Sequence, residues 1–267
     1  MRRLRLQMMA GGLGLDPDAV AFLTAAGITD ATITLAIDTL VKDLKSYGIW
    51  TKMKALYPFV GGTASTHKFN LKNPVDSDAA FRLVFSGGWT HSATGAFPNG
   101  TNAYANTFYV PNIECDSAQN SMSFYSRTQS NVGSPYEIFS ANNIGHTLHP
   151  YGLLVRFNNN QSFYANGAYN LSVSNLNSQG FFQAFTDLTN QILFRNSSQI
   201  GSIAIPNNLI SGFSLYIGGS NGAGTAGQFS NKQCAFASLG GSKLTTAEAA
   251  NYYTAVQAFQ TTLGRQV

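Results

Sequence analysis

Turn-forming residues interrupt the chain at short intervals between about Val60 and Leu239, and this feature constrains the fold most. Asparagine, glycine and serine recur throughout that stretch, whereas the first 58 residues contain no asparagine. Gly87-Gly88, Asn99-Gly100 and Asn166-Gly167 are typical turn pairs between short apolar segments. Short strands at this spacing, without helical periodicity between them, predict an antiparallel β-sandwich or barrel.

The candidate strands are short segments rich in aromatic and aliphatic residues. They are Phe81–Phe85, Thr107–Val110, Met122–Ser126, Leu153–Phe157, Phe181–Thr186, Gln191–Arg195, Ser214–Gly218 and Ala235–Leu239. A large sandwich can use all 267 residues as one domain. Only 10% of the residues are charged, against roughly a quarter in ordinary globular domains. Turns made of neutral polar residues account for this, and a surface largely covered by neighbouring subunits also fits.

Two helices are predicted before the sandwich. Asp16-Pro17 combines a capping carboxylate with a proline in the first turn, and Gly27 is placed to end that helix. Apolar residues then recur at steps of three and four from Asp30 to Tyr47, which predicts a second helix. On it, Asp38 and Lys42 are spaced to pair at i and i+4. Short helices are marginal alone, so both must dock on another element.

A third helix is predicted near the C-terminus. Thr245-Thr-Ala-Glu248 is a capping box, in which the two end residues satisfy each other's free amides. The apolar face that follows consists of Ala249, Tyr252, Val256, Phe259 and Leu263. We therefore divide the chain into an N-terminal arm (1–15), a helical segment (16–58) and a β-sandwich with a C-terminal helix (59–267).

Several segments of the last third share a pattern with known proteins. They are Phe181-Phe-Gln-Ala-Phe-Thr-Asp-Leu-Thr, Ile192-Leu-Phe-Arg-Asn-Ser-Ser, Leu215-Tyr-Ile-Gly-Gly-Ser, Phe236-Ala-Ser-Leu-Gly and Leu244-Thr-Thr-Ala-Glu248. Together they resemble the concanavalin A-like lectin/glucanase superfamily, in particular its laminin-G-like members. The resemblance implies a mainly β protein with an antiparallel jelly-roll sandwich. The family's hairpin often carries Asn-Gly where this chain has Asn196-Ser197, a tolerable change because asparagine also adopts positive φ.

A second resemblance covers almost the whole chain. The matching strings include Asn70-Leu-Lys-Asn-Pro-Val-Asp-Ser-Asp-Ala-Ala-Phe-Arg-Leu-Val-Phe, Pro98-Asn-Gly-Thr-Asn-Ala-Tyr-Ala, Ser123-Phe-Tyr-Ser-Arg-Thr and Thr262-Leu-Gly-Arg. They resemble blocks found in phage structural proteins. The resemblance implies a non-enzymatic virion protein, either a head decoration protein or a tail, baseplate or fibre component. Its expected location is the virion, and its expected partners are other virion proteins and further copies of itself.

The N-terminal arm carries the only cluster of basic residues. Arg2, Arg3 and Arg5 alternate with Leu4 and Leu6. We interpret the arm as an assembly tether, whose leucines supply apolar burial and whose arginines pair with carboxylates of another subunit. The net charge is +4 and the other basic residues are scattered, so nucleic acid is not favoured as a partner. No apolar run reaches the roughly 18 residues of a membrane helix.

Few residues of the sequence are candidates for a catalytic role. Glu114-Cys115-Asp116 is the nearest approach to the Glu-x-Asp-x-x-Glu strand that the superfamily's glucanases share. Residues i and i+2 of a strand share a face, so a carboxylate pair is conceivable there. However, Gln119 stands where the third acid would be, and the following residues suggest a turn. We therefore predict no enzymatic activity and rank glycan hydrolysis as the last alternative.

Metal ligands are equally sparse, and no cofactor is predicted. Asp76-Ser77-Asp78 could contribute to a calcium site, or it could form an Asx-turn before the next strand. His146 and His149 are three residues apart, but zinc needs further ligands, and the remaining histidines are distant in sequence. Cys115 and Cys234 form no metal or redox motif, and we favour two free, small side chains over a disulfide.

Aromatic residues near asparagine-rich turns offer an alternative function. A lectin-like adhesin for host-surface glycan would combine an aromatic plane with amide and backbone groups. The candidate residues are Trp89, His91, Tyr104, Tyr125 and Arg127. The competing interpretation is that these aromatic residues fill the sandwich core.

Overall fold

The computed structural model describes residues 14–131, 133, 135–157, 159–205 and 209–267. In this part of the chain, two sheets pack face to face, and helices cover the outer face of one of them. All strand pairs are antiparallel except one. The predicted class, a mainly β antiparallel sandwich with N-terminal and C-terminal helices, is confirmed. The predicted assembly arm, with Arg2, Arg3, Leu4, Arg5 and Leu6, lies outside the described residues.

The first helix, α1 (Pro17–Ala26), begins and ends where its caps predict. The Asp16 carboxylate accepts the backbone N–H of Asp18, which satisfies an amide that the first turn leaves free. Gly27 ends the helix with φ of 67°, a left-handed conformation that glycine adopts without steric cost.

The second helix, α2 (Ala31–Ser46), begins after Asp30, whose carboxylate accepts the N–H of Ile33 at 2.9 Å. The predicted pair of Asp38 and Lys42 forms at 2.6 Å. Asp38 also accepts the backbone N–H of Asp16, and it therefore links the start of α1 to the middle of α2. This position is more buried than the sequence suggested.

Three further helices are present in the described residues. α3 (Ala64–His67) and α4 (Pro111–Glu114) are single turns. α5 (Thr246–Thr262) begins with the predicted capping box between Thr245 and Glu248. Its predicted apolar face is inside the protein: Ala249, Tyr252, Val256 and Phe259 are buried, and Leu263 packs against the same cluster.

The first sheet has the strand order β13-β12-β11-β6-β17-β4-β3, and β1 also pairs with β17. Its strands are β1 (Met53–Tyr57), β3 (Trp89–Ser92), β4 (Gly95–Pro98), β6 (Ser121–Ser126), β11 (Gly180–Thr186), β12 (Asn190–Arg195), β13 (Ser198–Ala204) and β17 (Cys234–Gly240).

The second sheet has the order β10-β9-β8-β7-β14-β5-β2, with β15 beside β7 and β16 beside β15. Its strands are β2 (Val84–Ser86), β5 (Tyr104–Asn106), β7 (Ile138–Ala141), β8 (Tyr151–Leu154), β9 (Gln161–Asn166), β10 (Tyr169–Ser174), β14 (Tyr216–Ile217), β15 (Ser220–Gly222) and β16 (Thr225–Gly227).

Two expectations from the sequence are corrected, one for a predicted strand and one for a segment predicted to be helical. Thr107–Val110 is not a strand: the Thr107 hydroxyl donates to the Leu215 carbonyl, and Phe108 turns the chain with φ of 57°. Met53–Tyr57, at the end of the segment predicted to be helical, is a strand that pairs with β17. That pairing joins residues about 180 positions apart, so local sequence gives no sign of it.

The central strands β6, β11 and β17 are buried on both faces. One set of their side chains faces the second sheet and consists of Met122, Phe124, Phe182, Ala184, Ala237 and Leu239. The alternate set belongs to the cluster that also contains buried residues of α2 and α5, and it consists of Tyr125, Phe181, Phe185 and Phe236. Because side chains alternate along a strand, these three strands need cover on both sides, and the helices provide it on one of them.

Arg265 fixes the end of the chain inside the protein. Its buried guanidinium donates to the carbonyls of Pro58, Phe59 and Ala235, at 2.7, 2.8 and 2.9 Å, and to the side chain of Gln260 at 2.6 Å. Burial lowers its pKa to about 9. These bonds tie α5 to β17 and to the segment that follows β1.

Among the described residues, no helix combines the length and apolar character that crossing a membrane requires. Cys115 and Cys234 are both free thiols. Burial raises the pKa of the Cys115 thiol to about 11. Its thiolate population at neutral pH is therefore small, and with it the nucleophilicity of this residue.

We predict that Phe259→Ala destabilises the protein by about 3–5 kcal/mol, because a buried aromatic ring is lost and leaves a cavity. The ring packs edge-on against Phe236 and lies under the Arg265 guanidinium. Urea unfolding followed by circular dichroism measures the change. Thr261→Ala, at an exposed position of the same helix, is the control and should change stability by less than about 0.5 kcal/mol. Equal effects of both substitutions would contradict the assigned packing of α5.

Candidate functional site

The outer face of the second sheet carries its own apolar cluster. Phe139, Ala141, Leu154 and Ala165 form it, with Tyr136, Phe157 and Phe163 packed against it. No helix of the described part of the chain contributes to this cluster, in contrast to the outer face of the first sheet. Half-buried aromatic residues are therefore presented on an open sheet face.

A concave site lies on this face, and we call it the Tyr136 cleft. It has a volume of about 230 Å³. Strands β7, β8, β9 and β10 and the loops beside them supply its lining, which consists of Tyr136, Phe139, His146, Pro150, Leu154, Phe157, Phe163, Ala165 and Asn170. Three pairs across neighbouring strands, Phe139 with Gly152, Leu154 with Phe163 and Ala165 with Asn170, bring this set onto one face.

The aromatic rings of the cleft are in mutual contact. The Tyr136 centroid lies 4.4 Å from that of Phe139 and 5.3 Å from that of His146. Phe157 meets Phe163 edge to face at 5.5 Å. Such contacts hold the rings in fixed orientations, so the surface of the cleft is organised before any ligand arrives.

Gly152 allows this arrangement. A Cβ at that position would lie 2.4 Å from Cδ2 of Phe139 and 2.3 Å from the carbonyl oxygen of Ile138. Any side chain there would displace the Phe139 ring. A glycine is therefore needed in the middle of β8, because an aromatic residue of the neighbouring strand approaches its backbone closely.

A tight loop places His146 over the cleft. The Asn143 side-chain oxygen accepts the N–H groups of Thr147 and Leu148 at 2.9 and 3.0 Å, and His146 adopts φ of 58°. Burial lowers the pKa of His146 below its usual value, so its ring is neutral at pH 7 and offers one donor and one acceptor. His149 instead bonds to the side chain of Asn142.

A buried ion pair supports the cleft from below. Glu137 directly follows Tyr136, and its carboxylate lies 3.2 Å from the Lys232 ammonium, with both side chains fully buried. The same carboxylate accepts the N–H of Val155 at 2.6 Å and the Ser230 hydroxyl at 2.8 Å. Because breaking a buried pair is costly, these bonds fix the start of β7 and with it the position of Tyr136.

Three of the five residues predicted for glycan binding lie together at another place. The Trp89 and His91 rings stack at 6.2 Å, and the indole N–H donates to the carbonyls of Ser86 and Tyr104. Tyr104 stacks on Tyr216 at 4.6 Å. This Trp89 cluster spans β3 of the first sheet and β5 and β14 of the second. Its indole donor is already bonded within the protein.

The other two predicted residues lie elsewhere. Tyr125 is 0% exposed, and its hydroxyl bonds to Gln257 and to the Val267 backbone. Arg127 donates to the Arg265 carbonyl and the Gln233 side chain. Among the described residues, neither has a ring contact or a hydrogen bond with the Trp89 cluster, and Tyr125 exposes no ring face for stacking.

The predicted acidic motifs adopt local structures. Glu114 ends the one-turn helix α4 and pairs with Lys54 at 3.3 Å, while Asp116 accepts the N–H of Ala118 in a turn. They therefore do not share a strand face. In the other motif, Asp76 binds Lys68 and Arg82, and Asp78 also binds Arg82. Hydrogen bonds from Lys68 and Arg82 lower the pKa of Asp76. The described residues contain no group of three or more potential metal-ligating side chains.

The structure brings together two histidines that are distant in sequence. The Nδ1 atoms of His67 and His91 are 2.9 Å apart, so one ring donates and the other accepts. Burial lowers the pKa of His67 to about 3, and the nearby charges of His91 and Arg265 add to the effect. Sequence reasoning missed this pair, because a loop and β2 separate its members.

We predict that His67 makes the fold sensitive to acid. Its folded-state pKa lies below the unfolded value of about 6.5, so the unfolded chain binds the proton more strongly. The associated stability is complete above about pH 6.5 and is lost as the pH falls towards about 3, by roughly 5 kcal/mol at most.

Urea unfolding at about pH 7 and about pH 4.5 measures this loss. His67→Asn is the matched variant, since the asparagine amide can replace Nδ1 in the bond to His91 but does not titrate. Its stability should fall less steeply between the two pH values than that of the native chain. The same slope in both proteins would show that His67 does not cause the sensitivity.

Comparison with solved structures supports the sandwich fold. Domain 4 of AbnA, a GH43 extracellular arabinanase from Geobacillus stearothermophilus solved with arabinotriose, is similar over 75% of this chain and 98% of that chain, with a TM-score of 0.53 and 13% identity. The CBM40 of the Ruminococcus gnavus IT-sialidase, solved with alpha2,3 sialyllactose, is similar over 52% of this chain and 83% of that chain, with a TM-score of 0.43 and 15% identity.

No protein-family model and no curated protein sequence matches the chain. At 13% identity, the similarity to the arabinanase domain supports the sandwich fold alone. The class that fold and site define is therefore a β-sandwich with an aromatic cleft on its open face. Membership of the concanavalin A-like superfamily and a phage origin stay predictions.

Proposed function

We propose that the protein is a lectin-like module that binds glycan in the Tyr136 cleft. The observation that carries this proposal is the group of half-buried aromatic rings in a concavity on the open face of the second sheet. Sugar rings have apolar faces that pack on aromatic side chains and hydroxyl groups that need hydrogen-bonding partners at the edge. A mostly apolar site with a few convergent polar groups fits that requirement.

The polar groups are placed at the rim of the cleft. Asn170 is exposed, and its amide supplies donors and an acceptor. His146 contributes a neutral ring, and Tyr136 contributes a hydroxyl group for which the described residues provide no hydrogen bond. The Glu137–Lys232 pair and the ring contacts hold the cleft in one arrangement. Less conformational entropy of the protein is therefore lost when a ligand binds.

The similar arabinanase domain was solved with arabinotriose, so a sandwich of this kind can hold a sugar. Fold alone does not decide function, and the proposal therefore depends on the cleft. We propose no catalytic step, because Glu114 and Asp116 do not share a face and the described lining of the cleft has no carboxylate.

We predict that Phe163→Ala and Asn170→Ala each weaken glycan binding at least tenfold, or about 1.4 kcal/mol. The first removes an aromatic face and the second removes a hydrogen-bonding amide at the rim. A glycan array identifies ligands for the native chain, and isothermal titration calorimetry then compares the variants. Circular dichroism melting confirms that each variant is folded.

Two control variants separate the possible sites. Phe97→Ala removes a partly exposed phenylalanine from β4 of the first sheet and should leave binding unchanged. Tyr104→Ala tests the Trp89 cluster predicted from the sequence. Loss of binding in Tyr104→Ala with no effect of Phe163→Ala would move the glycan site to that cluster and refute the Tyr136 cleft.

A second candidate function is assembly into a phage particle. One observation favours an interface: Ile113 and Leu209 are 74% and 70% exposed, and Phe213 is also exposed. The Asn112 N–H donates to the Ser211 carbonyl at 3.0 Å, which holds the two segments side by side. Exposed apolar side chains gathered in this way are typical of contact surfaces.

We predict that an Ile113→Asp/Leu209→Asp double variant stays folded but binds less to particles that lack the native protein. Charged residues at an apolar contact carry a desolvation cost that burial against a neighbour cannot offset. Co-sedimentation with the particles measures binding, and Leu35→Asp, at another exposed apolar position, is the control. Removal of residues 1–12 tests the arm in the same assay. Unchanged co-sedimentation of the double variant would exclude this surface as the interface.

A further inference from the structure

We infer that the Tyr136 cleft selects a neutral sugar ring and discriminates against sugars that carry a carboxylate. This inference rests on the proposed glycan-binding function and names the substrate class. It follows from the charge, the burial and the size of the cleft.

The lining contains no fixed charge. Among the described residues, none of the nine that line the cleft is aspartate, glutamate, lysine or arginine. The ionisable side chains of the lining are Tyr136 and His146. Burial raises the pKa of Tyr136 and lowers that of His146, so both are uncharged at neutral pH. A carboxylate in the cleft would lose water without gaining a counter-charge, which is unfavourable.

Two buried cations near the cleft, Lys232 and Arg156, have partners within the protein. Lys232 is fully buried against Glu137. Arg156 precedes Phe157 but does not line the cleft, and its guanidinium donates to the side chain of Asn160 at 2.6 Å. Its Nε is buried without a partner among the described residues. Arg156 adjoins a lining residue in sequence and has an unpartnered Nε, so the experiment tests whether it serves an anionic ligand.

The volume limits how much of a glycan is enclosed. At about 230 Å³, the cleft is smaller than the roughly 300–1,000 Å³ typical of pockets for drug-sized ligands. It therefore encloses one sugar ring, and the rest of a longer glycan stays outside. Selectivity then depends on the substituents of that single ring, and a carboxylate on it would meet no cationic side chain of the described lining.

The test compares pairs of glycans that differ in a carboxylate. Suitable pairs are galactose with galacturonic acid and glucose with glucuronic acid, presented on an array and then in calorimetric titration. The full chain is used, with Phe163→Ala to verify that binding occurs in the cleft. We expect the neutral member of a bound pair to bind at least tenfold more tightly than the acidic member.

A gain-of-charge variant makes the test two-sided. Asn170→Lys places an ammonium group at an exposed rim position, and it should reduce or reverse the preference for the neutral member. Asn170→Gln, which adds length without charge, should keep the preference. If the preference for the neutral sugar arises because the cleft has no cationic side chain, only the lysine variant changes that preference.

The outcomes distinguish the two proposals. Tighter binding of the acidic member, lost in both Phe163→Ala and Arg156→Gln, would overturn the inference of neutral selection and leave the cleft as a glycan site. Equal binding of both members in the native chain would overturn it as well. Absence of binding to every glycan of the panel and of the wider array would overturn the glycan-binding function together with the inference.

Discussion

The burial of β6, β11 and β17 on both faces is the constraint on which the rest of the structure depends. Strands of this kind cannot form the outer layer of a two-layer protein, because one apolar face would remain in water. α5 packs on that face through Tyr252 and Phe259, and α2 packs on α5, so the apolar sides of both helices are covered in return. The Arg265 guanidinium then connects the end of α5 to β17 and to the chain after β1. The flanking helices are therefore a necessary part of the sandwich.

This asymmetry leaves the other outer face without a covering helix among the described residues. Strands β7 to β10 send one set of side chains inward, and the opposite set, with Phe139 and Phe163, forms the separate outer cluster. Aromatic residues on a sheet surface without covering helices are costly to expose to water, and their mutual packing reduces that exposure only in part. A ligand or a neighbouring molecule that covers the face would bury the remainder. This face therefore supports the proposal that the protein binds a ligand or a neighbouring molecule there.

The sequence predicted what depends on local chemistry. Helix ends follow from the side chains of Asp16 and Thr245, which cap neighbouring amides, and the central strands follow from short segments rich in aromatic and aliphatic residues between turns. Pairing between distant segments was not predictable, as for Met53–Tyr57 with β17. The cleft was missed for the same reason, because Tyr136 and Phe163 are unremarkable aromatic residues until strand pairing places them on one face. Sequence reasoning named Trp89, His91 and Tyr104 of the Trp89 cluster, which lie in one stretch of the chain, but not Tyr216, which strand pairing brings to it.

The distribution of charge in the sandwich bears on the proposed selectivity for neutral sugars. Two fully buried cations of the described structure are satisfied by the sandwich and its helices: Lys232 by Glu137, and Arg265 by neutral carbonyl and amide oxygens. A buried charge that already has partners cannot turn to a ligand without leaving those partners unpaired, and that loss would exceed the gain from a single new contact. The ion pair beneath Tyr136 therefore stabilises the cleft without lending it a net charge. A site supported in this way can be rigid and neutral at once, as recognition of an uncharged sugar ring requires.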